Sequence, residues 1–212
     1  MQDFITIKEQ KESEIVEKKS RFITNIFYVE NVKQAEDFIK QIRKKYFDAK
    51  HNCIAYRIME NNQLIEKSSD DGEPAGTAGS PMLSILQKNN ICNVLVIVTR
   101  YFGGILLGTG GLVRAYSESV IKVLEESKKL KMQIGVEMEV VLDYNNFDSF
   151  KYYCNKNDIS IIDVQYLGLI VCRIELEEDT KERLMKDFKV KNINVREIKI
   201  ICEKYVTKSI VK

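Results

Sequence analysis

Three short blocks of this 212-residue chain concentrate the side chains that binding or catalysis needs: Ala49-Lys-His-Asn-Cys-Ile-Ala-Tyr56, Ser69-Asp-Asp-Gly-Glu-Pro-Ala-Gly-Thr-Ala-Gly-Ser-Pro81 and Arg100-Tyr-Phe-Gly-Gly-Ile-Leu-Leu-Gly-Thr-Gly-Gly-Leu-Val-Arg-Ala-Tyr116. In the first, His51 has the chemistry of a general base, but no nucleophile is tied to it by spacing, and a structural histidine fits equally. In the second, Asp70, Asp71 and Glu73 could form a carboxylate pair for acid–base work or hold Mg2+. Turn chemistry competes, because Asp71-Gly72 is a strong turn dipeptide and Glu73 precedes Pro74 and is therefore held extended. Thr77 and Ser80 read as loop and cap residues, and no Gly-x-Ser-x-Gly elbow is present.

The third block resembles a phosphate loop without matching one. After Gly103 and Gly108 a Walker A motif requires Lys and Ser/Thr, whereas Thr109-Gly110 follows. A dinucleotide fingerprint begun at Gly108 and Gly110 fails at Val113. What remains is a physical argument. The order strand, glycine-rich loop, helix leaves free N–H groups at a helix start near Gly103, Gly104, Gly108, Thr109, Gly110 and Gly111. Arg100 is expected to enter the loop and Arg114 to lie on the first turn, a setting that attracts phosphate. Tyr101 and Phe102 add aromatic faces for stacking on bases. His51, Asp71, Glu73, Gly76 and Thr77 are a possible second part of the same surface. The competing reading is that the glycines only let the loop pack closely on a sheet.

Composition narrows the class. With 33 Lys+Arg against 31 Asp+Glu and 44% hydrophobic residues, the chain can bury a core and is not a bulk-charge nucleic-acid binder. Charge is instead local: Pro74 to Ser117 contains no Asp or Glu but does contain Lys88, Arg100 and Arg114. Eight of the ten glycines and both prolines lie between Gly72 and Gly111. The longest aliphatic run, Val94 to Val98, is far short of a membrane span, and the charged first fifteen residues do not read as a secretory signal, so a cytoplasmic protein is expected. Five cysteines without a Cys-x-x-Cys read as core thiols, with neither zinc nor a disulfide-linked partner expected.

Periodicity supplies the elements that must position these blocks. Strands are expected over Phe4–Ile15 and Phe22–Val29, then a helix over Val32–Tyr46. A hairpin across Glu60-Asn-Asn62, a loop 68–79, a helix capped by Ser80, a central strand Val94–Val98 and a helix from Gly111 to Lys128 follow. The polar stretch Lys128–Gly135 is read as the boundary between domains 1–130 and 131–212. Beyond it the order is βαββαβ, the split βαβ or ferredoxin-like plan, with a helix opened by Asp179 and Glu182 at capping-box spacing. The fold class is α+β.

The three blocks resemble the IMPACT family. The matching pattern is His51-x-Cys-x-Ala-Tyr56, Asp71-Gly-Glu-Pro-x-Gly-Thr-Ala-Gly-x-Pro81 and Arg100-Tyr-Phe-Gly-Gly-x-x-Leu-Gly-x-Gly-Gly-Leu-x-Arg-Ala-Tyr116. The resemblance implies an N-terminal domain with the fold of ribosomal protein S5 domain 2 and a ferredoxin-like C-terminal domain similar to domain V of the translocation factor EF-G. It also implies a link to translation, since eukaryotic relatives are translation regulators. They act through an additional N-terminal partner-binding domain, and that mechanism is not carried over. No catalytic residues follow from it. The expectation is a non-enzymatic, translation-linked protein that binds RNA or the ribosome through the glycine-rich loop and needs no cofactor. The alternative is an enzyme on a phosphorylated metabolite, with Asp71 and Glu73 on Mg2+. The sequence is silent on oligomeric state.

Overall fold

The computed structural model describes residues 3–60 and 63–207. Contacts divide the described residues into two compact units, 4–130 and 131–207, the latter with Asp3.

The first unit contains β1 (Phe4–Ile7), β2 (Lys11–Glu17), β3 (Ser20–Tyr28), α1 (Val32–Lys45), β4 (His51–Glu60), β5 (Gln63–Ser69), α2 (Gly79–Lys88), β6 (Val94–Tyr101) and α3 (Gly108–Glu126). The single strand expected over Phe4–Ile15 is two. β1 bridges to Ile91 through Ile5, while β2, mostly charged, pairs with β3 at the sheet edge. The turn residues Asn61 and Asn62 of the β4–β5 hairpin lie outside the described residues.

The sheet order is β2-β3-β6-β4-β5, with every neighbour antiparallel. Alternation sorts the side chains onto two faces. Phe22, Ile26, Cys53, Ala55, Val94, Val96 and Val98 pack with α2 and α3, while Phe27, Ile54, Tyr56, Leu95 and Ile97 pack with α1. Helices on both faces explain the unbroken aliphatic run of β6: Val94 to Val98 are all buried.

Two local expectations are corrected at the ends of elements. Arg100 and Tyr101 close β6 rather than entering the loop, held by Phe22↔Arg100 and Arg21↔Tyr101 on one side and His51↔Arg100 on the other. The helix that follows starts at Gly108, so Thr109, Gly110 and Gly111 form its first turn. Ser80 is not the cap of α2, which begins at Gly79. Asp70 does that work from the preceding loop: Oδ1 accepts from Ala78 N at 3.0 Å and Gly79 N at 2.8 Å, and Oδ2 accepts from Gly76 N at 2.8 Å. A Cβ on Gly79 would sit 2.6 Å from Ser69 N, so only glycine lets the helix start this close to β5.

Burial raises the Asp70 pKa, but the three backbone N–H groups outweigh it and hold the carboxyl below its usual value. The unfolded chain therefore takes up this proton first. The stabilisation is complete above the unfolded value of about 4 and is lost as pH falls through the lower folded value. Asp70→Ala is expected to cost about 2 kcal/mol at neutral pH, the upper end for a lost helix cap. In urea unfolding, the difference between wild type and variant should shrink toward pH 2.

The second unit contains β7 (Lys129–Leu142), α4 (Phe147–Lys156), β8 (Ser160–Tyr166), β9 (Ile170–Glu177), α5 (Glu178–Lys189) and β10 (Glu197–Thr207). Its strands lie in the order β10-β7-β9-β8, all antiparallel. Val136, Met138, Val140 and Leu142 face the core with Phe150, Cys154 and Leu184. β7 begins inside Lys128–Gly135, the stretch read as a polar boundary. The spacing of Asp179 and Glu182 makes no capping box: Glu177 holds the cap position and makes no side-chain cap bond to the helix, and Glu178 and Asp179 favour the helix start through its dipole. Cys53, Cys92, Cys154 and Cys172 are buried free thiols, but Cys202 is exposed, because the register shift between Ile200 and Cys202 sets it opposite Glu137. Among the described residues no helix is long and apolar enough to cross a membrane.

Candidate functional site

The sheet register sets Phe22, Arg100 and His51 side by side on three adjacent strands. Because Val98 and Cys53, two residues away on β6 and β4, face α3, this row does too. Arg100 is only 7% exposed. Its Nη1 donates to Glu73 Oε1 at 2.7 Å, and its guanidinium carbon lies 5.5 Å from the Phe22 ring and 5.7 Å from the Phe102 ring. Tyr116, from α3, donates its hydroxyl to the same Glu73 oxygen at 2.9 Å and meets Phe22 edge-on at 5.2 Å.

Cys53 lies beneath, its thiol donating to Asp70 O at 2.9 Å with Tyr116 Oη 3.3 Å away. Burial pushes the Cys53 thiol up to about 12, so it remains protonated at neutral pH and is no nucleophile. Burial, with Cys53 and Glu73 adding to it, also raises the Tyr116 pKa and keeps the phenol a donor.

The loop after β5 locks this centre. His51 Nδ1 is 2.8 Å from Asp71 O; a carbonyl only accepts, so Nδ1 is the donor. Asp71, at φ +44°, accepts from Asn52 N at 2.7 Å and from Arg43 at 2.9 Å. Thr77 is buried, and its hydroxyl donates to Pro74 O at 2.7 Å; Gly76 supplies a positive φ of 75°. Both Asp71 oxygens and Glu73 Oε1 thus serve protein donors, and no group of three or more His, Cys, Asp or Glu among the described residues could hold a metal ion. In this arrangement the two carboxylates act as acceptors for Arg43, Asn52 N, Arg100 and Tyr116.

A second cluster lies at the surface. Lys18 and Lys19 form a two-residue turn between paired Glu17 and Ser20, both with positive φ, 45° and 67°. That is the type I′ geometry, which favours Asn-Gly and strains two lysines. The turn sits on the loop after β6: Gly103 N donates to Ser20 Oγ at 3.2 Å, and a Cβ on Gly103 would fall inside the backbone of Lys19 and Ser20. That loop exposes Phe102 (57%), Ile105 and Leu106 (82%), and turns through Gly104 and Gly108 at positive φ. α3 starts with no side-chain cap at Leu107. A groove of about 200 Å3 beside it is lined by Glu17, Lys18, Leu107, Gly111, Arg114 and Glu118.

The residues singled out in the sequence therefore fall in two places. Arg100, His51, Asp71, Glu73, Gly76 and Thr77 belong to the buried centre and its loop. Gly103, Gly104, Gly108, Thr109, Gly110, Gly111 and Arg114 belong to the surface. Tyr101 joins neither: its parity turns it to the α1 face, where its hydroxyl donates to Asp48 at 2.7 Å. Tyr116, Lys18 and Lys19 are not among the residues singled out in the sequence, and Asp70, singled out as a carboxylate for acid–base work or Mg2+, instead accepts from the backbone N–H groups that start α2. For Tyr116 the available clue was the parity that puts Arg100 on the α3 face with Val94, Val96 and Val98.

All of these residues lie within residues 18–124, which match the Impact N-terminal domain; residues 140–189 match a domain of unknown function, DUF1949. The IMPACT family member YvyE of Bacillus subtilis is 40% identical over 178 residues, 84% of this chain and 82% of its own. The IMPACT family member YigZ of Escherichia coli is 36% identical over 161 residues, 75% of this chain and 78% of its own. A crystal structure described only as that of a hypothetical protein aligns over 94% of this chain and 98% of its own, at 30% identity and a TM-score of 0.60. Since the matched domain contains the buried centre and the surface cluster, and these relatives extend over most of both chains, this chain belongs to the IMPACT family.

Proposed function

We propose that the protein is a cytoplasmic, non-enzymatic, translation-linked protein that binds single-stranded RNA, free or on the ribosome, through the surface around the start of α3. The observation that carries this reading is the Lys18-Lys19 turn, strained at both positions and seated on the glycine-rich loop beside an uncapped helix start. Backbone strain kept at a surface turn marks a place where side-chain identity matters more than turn chemistry. Lys18, Lys19 and Arg114 supply charge for phosphates, the α3 amides add donors, and exposed Phe102 offers a face for a base. The translation link comes from the family resemblance. In the same reading the two units are an S5 domain 2-like fold and a ferredoxin-like fold, which is analogy and assigns no activity.

The test is a variant that keeps the fold. Lys18→Asn with Lys19→Gly installs the preferred turn, so its melting temperature should equal or exceed that of wild type. Combined with Arg114→Ala, it should weaken binding of a fluorescein-labelled single-stranded RNA by at least about tenfold and flatten the log–log salt slope by about 2, three contacts at about 0.7 each. Ribosome co-sedimentation should fall in parallel. Wild-type affinity with an unchanged slope would remove this surface from RNA binding.

A further inference from the structure

We propose that Arg100 and His51 form a second site, beneath the Phe102 ring, that binds a phosphate monoester. Arg100 Nε is buried without a hydrogen-bond partner. The other such side-chain atoms among the described residues, on Ser13, Thr24 and Asn25, belong to neutral groups; Arg100 alone is charged. An unmatched buried donor costs more when it is ionic, and native folds keep one where something else supplies the acceptor.

Glu73 engages Nη1. The Nε edge of a guanidinium is the one whose parallel N–H groups match two oxygens of a planar or tetrahedral oxyanion. The surrounding carboxylates are already held, Asp71 by Arg43 and Asn52 N, Asp70 by backbone N–H groups. They do not compete for that edge.

His51 selects among oxyanions. It is the cross-strand neighbour of Arg100 on the same face, and with Nδ1–H on Asp71 O the neutral form of the ring presents Nε2 as its acceptor. A ligand that satisfies Arg100 and the neutral ring together accepts from Arg100 and donates to His51. A phosphate monoester does this near neutral pH, where its second pKa of about 6 leaves a share of P–OH. A diester has no such proton.

Phe102 is the exchangeable wall. Its exposed ring and the buried Phe22 ring both lie against the guanidinium, 5.7 and 5.5 Å from its carbon. Displaced, the ring can stack on a base attached to the phosphate. The monoester can thus be a free nucleotide or the 5′ end of an RNA. The site shares no cation with the Lys18, Lys19 and Arg114 surface, so either can fail alone.

The experiment follows the Arg100 Nε–Hε resonance of the full chain by 1H–15N NMR, assigned by its loss in Arg100→Lys. Methyl phosphate should shift it saturably and dimethyl phosphate should not. Phe102→Ala should tighten methyl phosphate binding, and His51→Ala should weaken it about tenfold, the loss of one charge-assisted hydrogen bond. AMP and a 5′-phosphorylated RNA, compared with the 5′-hydroxyl RNA, then identify the source. The turn variant Lys18→Asn/Lys19→Gly with Arg114→Ala should keep the methyl phosphate response whether or not it binds RNA. No shift with methyl phosphate, an equal shift with dimethyl phosphate, or a non-saturating drift shared with sulfate would each overturn the site.

Discussion

Glu73→Ala should lower stability by about 3–5 kcal/mol, the range for removing one partner of a buried ion pair. The Arg100 and Glu73 side chains are 8% and 3% exposed, so solvent cannot replace the lost carboxylate. The damage exceeds one contact, because Tyr116 donates to the same oxygen and loses its acceptor as well. Glu73→Gln keeps an acceptor for Tyr116 but removes the countercharge, and should fall between wild type and Glu73→Ala. The informative comparison is Arg100→Met with Glu73→Leu. If desolvation of the two charges largely cancels their attraction, the apolar pair recovers most of the lost stability although the salt bridge is gone. Urea midpoints of the four proteins decide it: a loss below about 1 kcal/mol in Glu73→Ala is the behaviour of an exposed pair and contradicts the buried arrangement.

How much of this was legible from the sequence depended on whether the determining interaction is local. α1 is legible almost to the residue because Ala35, Phe38, Ile39 and Ile42 fall on one helical face; the structure adds the Asn31 cap. β6 was found over its apolar run but lost at Arg100 and Tyr101, where pairing with β3 and β4 continues a strand that composition no longer marks. The cap of α2 was assigned to Ser80 because capping was sought next to the helix. Asp70 reaches it only because the loop folds back, and no local pattern encodes that. β7 was truncated for a related reason: Lys129 to Gly135 is polar enough to read as linker, yet register with β10 holds it as strand through Met132. The structure groups the candidate site residues differently from their order along the chain. Chain spacing put Arg100 beside the start of α3, whereas strand parity sends it under Tyr116 with Glu73. The Lys18-Lys19 turn escaped because two lysines are the wrong residues for a type I′ turn, and that mismatch points to the surface on which function is proposed.

Gly103→Ala should both destabilise the protein and weaken RNA binding, while Gly110→Ala should do neither. The two glycines lie in one motif and look interchangeable in sequence, but their surroundings are opposite. At Gly103 a Cβ would collide with Lys19 and Ser20 backbone, which cannot swing aside as a flexible side-chain end could. The hairpin must move off the loop, at about 1–3 kcal/mol for overpacking a tight contact. At Gly110 nothing lies within 4 Å, and the residue is already helical, so alanine should be neutral or stabilise by up to about 1 kcal/mol. RNA affinity gives the separate readout. If Gly103 serves binding by seating the two lysines beside Phe102 and α3, its effect disappears once those lysines are gone. Adding Gly103→Ala to the Lys18→Asn/Lys19→Gly variant should then cost stability but little further affinity. Full additivity of the affinity losses would mean that Gly103 acts independently of the lysines. An unchanged affinity in Gly103→Ala alone would mean that hairpin and loop do not form one binding surface.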